Sequence, residues 1–320
     1  MEHRRVGRTG LTVSAVGLGT MTWGRDTDEH DAEEQLTAFL DAGGTLVDTA
    51  ASYGDGAAEE LLGTLLTRTD RRDVVLCSKS GIRRGVHGSR VDASRANLLD
   101  TLDATLARLG TDRLDLWLVQ APDLAVAPDE TLDALRRAVA SGRTRYVGLS
   151  NHPAWLTGYA AAALADDGTG LAAVEVEYSL LERGIEREVL PAAEALGAGA
   201  LAWSPLGRGV LTGKYRRNVP ADSRAASPHL RGFVEPYLND RAAGIVESVA
   251  TAAGGLGRSP LEVALAWVRD APGVSSAIVG ARTLNQLRGA LAAGDLTLPD
   301  AIRDALDDVT APALGYPERR

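Results

Sequence analysis

Short apolar runs alternate with longer segments of helical period along almost the whole chain. After "RRVGRTGLTVSA", which reads as a hairpin, the run "AVGLGT" at 15–20 precedes a helical stretch near 30–42. The pairing recurs in "TLVDTA" (45–50) with a helix near 57–67, and in "VVLCSKS" (74–80) with one at 92–109. It recurs again in "LDLWLVQ" (114–120) with 129–141, "RYVGLSN" (145–151) with 153–165, and "AAVEVEYS" (172–179) with 186–196. "GALAWSP" (199–205) leads into a long segment, and "SSAIVGA" (275–281) precedes a last helix at 283–293. Within 92–109, Leu98, Leu99, Leu102, Leu106 and Leu109 follow a 3.6-residue period.

Repeated strand–helix units predict a parallel sheet with crossover helices, and eight of them predict a closed (β/α)₈ TIM barrel, an α/β fold, carrying an N-terminal β-hairpin. A doubly wound sheet is the alternative, but no G-x-G-x-x-G follows the first strand. The stretch 206–258, with "GRGVLTGKY" and "VPADSRAASPHLRG" before helical material, reads as a loop insertion after strand 7. One domain over 1–320 is expected, with the tail "APALGYPERR" at the surface.

In such barrels, active sites lie at the C-terminal ends of the strands. Those ends carry Asp48 with Tyr53 close behind, Lys79, Gln120, Ser150 with Asn151, Glu175 with Tyr178, Trp203-Ser204-Pro205, and Gly280 with Arg282. Only two of the 34 basic residues are lysines, Lys79 and Lys214, so each departs from an arginine habit. Asp48 and Lys79 on adjacent strands can pair. The ammonium would pull the Tyr53 phenol below its ordinary value and suit it to general-acid work. Trp203 offers a flat face for an aromatic ring. Ser150 and Asn151 can hold an amide, although Asn151 could equally cap the next helix. Gly207, Gly209 and Lys214 make a basic loop, and Gly280 with Arg282 before a helix start makes an anion site.

Several ordered stretches together resemble the aldo-keto reductase superfamily: "VGLGTMTWG", "GTLVDTAASYGDGAAEELLG", "CSKS", "SGRTRYVGLSN", "AWSPLGRGVLTGKY" and "IVGARTLNQL". The resemblance implies an NADP(H)-dependent oxidoreductase in which Asp48, Tyr53 and Lys79 are catalytic and Tyr53 gives the proton. It implies cofactor contacts from Gly19 and Thr20, from the carboxamide-holding pair Ser150 and Asn151, and from Trp203 by stacking. Ser204, Pro205, Leu206, Gly207, Gly209 and Lys214 fall in the pyrophosphate segment. Gly280, Arg282 and Gln286 fall in the 2′-phosphate segment, which implies NADP over NAD. Trp23 is expected as a substrate-pocket wall, with core packing the alternative.

Three positions depart from the family pattern. Gln120 stands where a catalytic histidine is usual, Glu175 where a glutamine contacts the carboxamide, and Gly289-Ala290 where Glu-Asn is common. None of His3, His30, His87, His152 and His229 replaces the missing histidine at a strand end. Glutamine can donate an N–H but does not titrate. The implied reaction is reduction of an aldehyde or ketone with Gln120 as a positioning donor. The alternatives are reduction of an activated C=C bond, or a low-turnover NADP(H) sensor like the potassium-channel β-subunits, which resemble this fold. A metal-dependent hydrolase would need histidine and carboxylate ligands together, and only Asp48 and Glu175 qualify, so no metal is expected.

Composition sets the remaining limits. A formal charge of −9 argues against nucleic-acid or membrane-surface partners, and the resemblance implies a small-molecule carbonyl substrate. The lone Cys77 allows no internal disulfide, and the N-terminus lacks an apolar signal core, so a cytoplasmic protein is expected. An aromatic content of 4% argues against an aromatic-walled pocket.

Overall fold

The computed structural model describes residues 1–85, 88–166, 168–221, 223–313 and 315, which leaves most of the C-terminal tail and His87 outside it. The strands are β1 (His3–Arg5), β2 (Thr12–Ser14), β3 (Val16–Gly19), β4 (Leu46–Asp48), β5 (Val75–Ser80), β6 (Ile82–Gly85), β7 (Gly88–Val91), β8 (Leu114–Val119), β9 (Thr144–Ser150), β10 (Ala173–Glu177), β11 (Gly199–Trp203) and β12 (Val274–Val279). Eight of them form a closed parallel barrel in the order β3-β4-β5-β8-β9-β10-β11-β12, sealed where β12 pairs with β3 at Ile278↔Gly17. This is the (β/α)₈ barrel that the alternating pattern predicts, and β1–β2 is the expected hairpin.

The helices are α1 (Glu29–Asp41), α2 (Ala57–Leu66), α3 (Arg95–Leu109), α4 (Pro128–Ala140), α5 (Ala154–Ala165), α6 (Val189–Leu196), α7 (Arg231–Val234), α8 (Asp240–Leu256), α9 (Pro260–Arg269), α10 (Leu284–Leu291) and α11 (Asp300–Thr310). None is long and apolar enough to cross a membrane. Three features differ from the sequence reading. The hairpin β6–β7 escapes detection because its described side chains are mostly exposed and carry no apolar alternation. The insertion is shorter than 206–258, since α8 buries Ile245, Val246, Val249 and Ala253 and packs as a barrel helix. Pro260–Arg269 form α9, to which the sequence reading gave no element, and every residue from Val263 to Arg269 is buried.

Strand side chains alternate between the barrel interior and the helix layer. Leu46, Cys77, Leu118, Ala173, Leu201 and Ile278 share one apolar cluster, closed below by Val6, Leu11 and Val13 of the N-terminal hairpin region. Two residues further along the same strands, on the same inward side, come Asp48, Lys79, Gln120, Glu175, Trp203 and Gly280. The barrel is therefore apolar at its base and polar at its C-terminal mouth. Gly148 permits the close approach of β8, β9 and β10, because a Cβ there would lie 2.4 Å from the Ala173 carbonyl oxygen.

The outward face of β5 is fastened too. Glu59 of α2, fully buried, accepts from Ser78 Oγ (2.7 Å) and Thr105 Oγ1 (3.0 Å) and pairs with Arg108 of α3 at 2.6 Å. Ser78 neighbours Lys79, so this network ties α2 and α3 to the strand that carries the lysine. Removing one member of a buried charge network leaves the other uncompensated. Glu59→Ala is expected to lower unfolding free energy by about 3–5 kcal/mol, as chemical denaturation would measure. A change below about 1 kcal/mol would show that the network is not needed to hold β5.

Candidate active site

Lys79 forms the centre of the mouth. Its side chain is 2% exposed, and its Nζ lies 2.6 and 2.8 Å from the Asp48 carboxylate oxygens, 3.0 Å from the Thr49 carbonyl and 3.4 Å from Tyr53 Oη. Glu175 Oε1 is 3.3 Å from the same nitrogen. Burial opposes the ammonium charge, but Asp48 and then Glu175 outweigh it and hold the lysine well above its ordinary value. Asp48, Cys77 and Glu175 place one ligand atom each within 4.8 Å of one another, which could suit a metal ion. The Lys79 ammonium already supplies the cation between the two carboxylates.

Tyr53 departs from the sequence expectation. Its hydroxyl meets Lys79, yet its pKa is raised rather than lowered. Enclosure of the phenol is the largest cause. The Lys79 ammonium pulls the other way, and Asp48 and Glu175 work against that pull. The resting phenol therefore keeps its proton throughout the neutral range. Glu175 is raised to about 8, first by burial and then by the Asp48 carboxylate, with Lys79 pulling the other way. Its Oε2 is buried with no hydrogen-bond partner among the described residues.

Gln120 is half-buried and sits against the Ser52 hydroxyl, with Nε2 2.9 Å and Oε1 3.0 Å from Oγ. Its backbone carbonyl accepts from Asn151 Nδ2 (3.0 Å), and Asn151 Oδ1 accepts from Trp203 Nε1 (3.0 Å). The ends of β8, β9 and β11 are thus laced together across the mouth. Asn151 has φ 60° and does not cap α5, whose N-terminal flanking residue is Pro153. His152, beside it, is buried against the Ser150 carbonyl at 2.8 Å, and burial lowers it to about 4, so it stays neutral. None of the described histidines lines the cavity.

One cavity of about 460 Å³ joins this mouth to a cationic end. Asp48, Tyr53, Lys79 and Gln120 line it, as do Gly19, Ser150, Asn151, Glu175 and Trp203. So do Ser204, Pro205, Leu206, Gly209, Lys214, Gly280, Arg282 and Gln286. Three expected residues do not. Trp23 is not a pocket wall: it is fully buried, and its indole donates to Gln35 Oε1 at 3.3 Å within the layer between barrel and helices. Thr20 is buried, and its backbone and hydroxyl both donate to the Asp48 carbonyl, so it fixes the loop instead. Gly207 is a buried turn residue at φ +54°, with Leu181 close behind it. Tyr178 also turns away, donating to Glu186 at 2.7 Å.

The sequence reading missed Arg208, Arg224 and Phe233, all from the insertion and all lining the cavity. Phe233 stacks on Trp203 with centroids 6.4 Å apart, so three aromatic side chains line a cavity that the composition argued against. Arg208 is clamped bidentately to Glu177 at 2.7 and 2.6 Å, and its guanidinium lies over Trp203 and Phe233. Arg224 reaches the Gly280 carbonyl at 3.4 Å. Burial and the facing Arg282 lower its pKa, the signature of two guanidiniums sharing one concavity. That end suits phosphate, and Trp203 with the Ser150–Asn151 pair suits a planar amide-bearing ring. The positive-φ non-glycine residues Asn151, Ser204 and Arg208 line the cavity, and Asp55 lies two residues after Tyr53. Backbone strain of this kind gathers at functional sites.

Glu175 gives a stability test. Its folded pKa is raised from 4.5 to about 8, so over that window the folded chain binds a proton that the unfolded chain has lost. Stability therefore falls as pH rises through the window. Glu175→Gln removes this term, and its melting temperature is expected to gain on the parent chain progressively across the same range. A constant offset would mean that Glu175 does not titrate there.

The model of the Aldo/keto reductase family matches residues 15–311. The chain is 36% identical to YrpG, an uncharacterized oxidoreductase of Bacillus subtilis, over 97% of this chain and 96% of that one. It is 33% identical to a probable voltage-gated potassium channel subunit beta of Oryza sativa, over 100% and 98% respectively. It is 32% identical to L-glyceraldehyde 3-phosphate reductase of Escherichia coli, over 90% and 86%. With the match running through nearly the whole barrel, the chain belongs to the aldo/keto reductase family.

Proposed function

We propose that this protein is an NADPH-dependent reductase that converts an aldehyde or ketone to an alcohol, with Tyr53 as the proton donor. The observation that carries the reading is the Lys79 ammonium joining Asp48 to Tyr53 Oη at the floor of the cavity. When bound, the reduced nicotinamide supplies hydride to the carbonyl carbon. Tyr53 gives its proton to the carbonyl oxygen, so the C=O π bond is replaced by one C–H and one O–H bond. Lys79 stabilises the phenolate left behind, and Asp48 keeps the lysine charged and aimed. Ser150, Asn151 and Trp203 hold the ring, and Arg282 with Arg224 holds the 2′-phosphate. Gln120, lodged against Ser52, orients the substrate oxygen without carrying a proton.

The relative named for reducing a phosphorylated aldehyde supports carbonyl chemistry. The relative named as a channel subunit favours a second reading, an NADP(H)-binding sensor. Following NADPH absorbance with aldehydes, ketones and enones separates them. Tight NADPH binding with no oxidation by any compound would select the sensor. An enone reduced at C=C with its ketone retained would replace the carbonyl reading with C=C reduction. In the carbonyl reductase, Tyr53→Phe is expected to cut turnover by about 10²–10⁴-fold while cofactor still binds. Normal turnover by that variant would remove Tyr53 as the acid.

Loss of a charge-assisted contact costs about 1.5–3 kcal/mol. Arg282→Ala and Arg224→Ala are each expected to weaken NADPH binding by about ten- to a hundredfold and NADH binding far less. Equal losses for the two cofactors, measured by fluorescence titration, would contradict a 2′-phosphate role.

A further inference from the structure

Two buried carboxylates face a single ammonium at the barrel mouth. Asp48 takes the close, two-pronged contact with Lys79, and Glu175 takes the longer one at 3.3 Å. The groups facing Glu175 are Asp48 from β4, Lys79 and Cys77 from β5, and Tyr53 from the loop after β4. The register neighbours on β9 and β11 are Ser150 and Leu201, which bring no charge. Among these groups one cation meets two acids, and water is largely excluded, so the site is neutral only when one acid keeps its proton. Glu175 is the one with an oxygen left without a partner in the buried wall of the cavity.

Resting on the cofactor reading above, we propose that Glu175 is a redox-linked proton site, protonated beside the reduced cofactor and ionised beside the oxidised one. Hydride and proton must reach adjacent atoms of the substrate, which sets the nicotinamide close to Tyr53 Oη. That hydroxyl is 3.4 Å from Lys79, and Lys79 is 3.3 Å from Glu175. A nicotinamide ring is neutral when reduced and cationic when oxidised. A glutamate that surrenders its proton during the reaction leaves a carboxylate to balance that new charge, whereas the glutamine usual at this place leaves it uncompensated.

The proton accounting closes. Tyr53 gives its proton to the substrate oxygen, Lys79 restores the phenol, and Glu175 restores the ammonium. The Glu175 proton ends in the alcohol O–H by relay, the hydride ends on carbon, and total charge is unchanged. Glu175 takes a new proton from solvent once the cavity empties. Gln120 cannot serve this purpose because its amide does not titrate.

Binding alone tests this without turnover. Calorimetric titrations near neutral pH, in buffers of different ionisation enthalpy, count the protons released. NADP⁺ and NADPH carry the same phosphates, so a difference between them isolates the ring charge. NADP⁺ is expected to release close to one proton and NADPH close to none. The NADP⁺ to NADPH affinity ratio is expected to rise by up to about tenfold per pH unit below the Glu175 pKa. Glu175→Gln is expected to abolish both effects. Infrared difference spectra of the unaltered chain give the same answer without a variant: the protonated-carboxyl C=O stretch should vanish with NADP⁺ and persist with NADPH. Equal proton release by the two forms, release retained in Glu175→Gln, or a carboxyl band that survives NADP⁺ would overturn the proposal. Failure of both forms to bind would overturn the cofactor reading itself, and this inference with it.

Discussion

The arrangement of the mouth depends on one buried ammonium. Lys79 brings a full charge into the barrel where water is largely excluded, and the two-pronged contact with Asp48, followed by Glu175, makes that tolerable. Three further polar groups are placed around that charge: the Tyr53 phenol on one side, Glu175 on the other, the Thr49 carbonyl behind. An arginine would not fit the same post, because its planar fork cannot sit as a compact point among four such groups. In a chain that otherwise uses arginine, this is the physical reason for a lysine at position 79.

Which effect dominates at Tyr53 is decided by depth. A neighbouring ammonium favours phenolate, and in a solvated site that alone would bring the phenol toward neutrality. Here enclosure penalises the anion, and two carboxylates share the ammonium's attention. In the proposed reduction the hydroxyl therefore starts each cycle protonated, as a donor should. There the lysine would act when negative charge develops on the phenol oxygen, which is when stabilisation accelerates a step.

The insertion after β11 does more than cover the barrel. Arg208, at φ 57°, locks its guanidinium onto Glu177 at the end of β10 and lays it over Trp203, Phe233 and Tyr237. Its Nη1 also donates to the Phe233 carbonyl at 2.6 Å, and the same insertion carries Arg224, which faces Arg282 across the cavity. A segment whose composition suggests a mobile basic loop thereby becomes half of the cationic end.

The barrel was legible in the sequence because each barrel strand is a short apolar run and most of the helices between them keep a 3.6-residue period. Much of the lining of the candidate site was legible because a polar residue at the end of such a run has few structural uses: Asp48, Lys79, Gln120 and Glu175 stand out for that reason, and all four line the cavity. What the chain could not reveal locally is what depends on distant partners. Trp23 looked like a pocket wall and packs under the helices. Arg224 and Phe233 sit in an aperiodic stretch and reach the cavity only through the path that the insertion takes over the barrel mouth. Whether Tyr53 is pulled down or pushed up depends on enclosure and on a second carboxylate from a strand more than a hundred residues away. Residue type and period are local properties, so the sequence determined the elements and the candidate acids. Burial and the meeting of charges are properties of the closed barrel, so only the tertiary structure decided which groups hold protons.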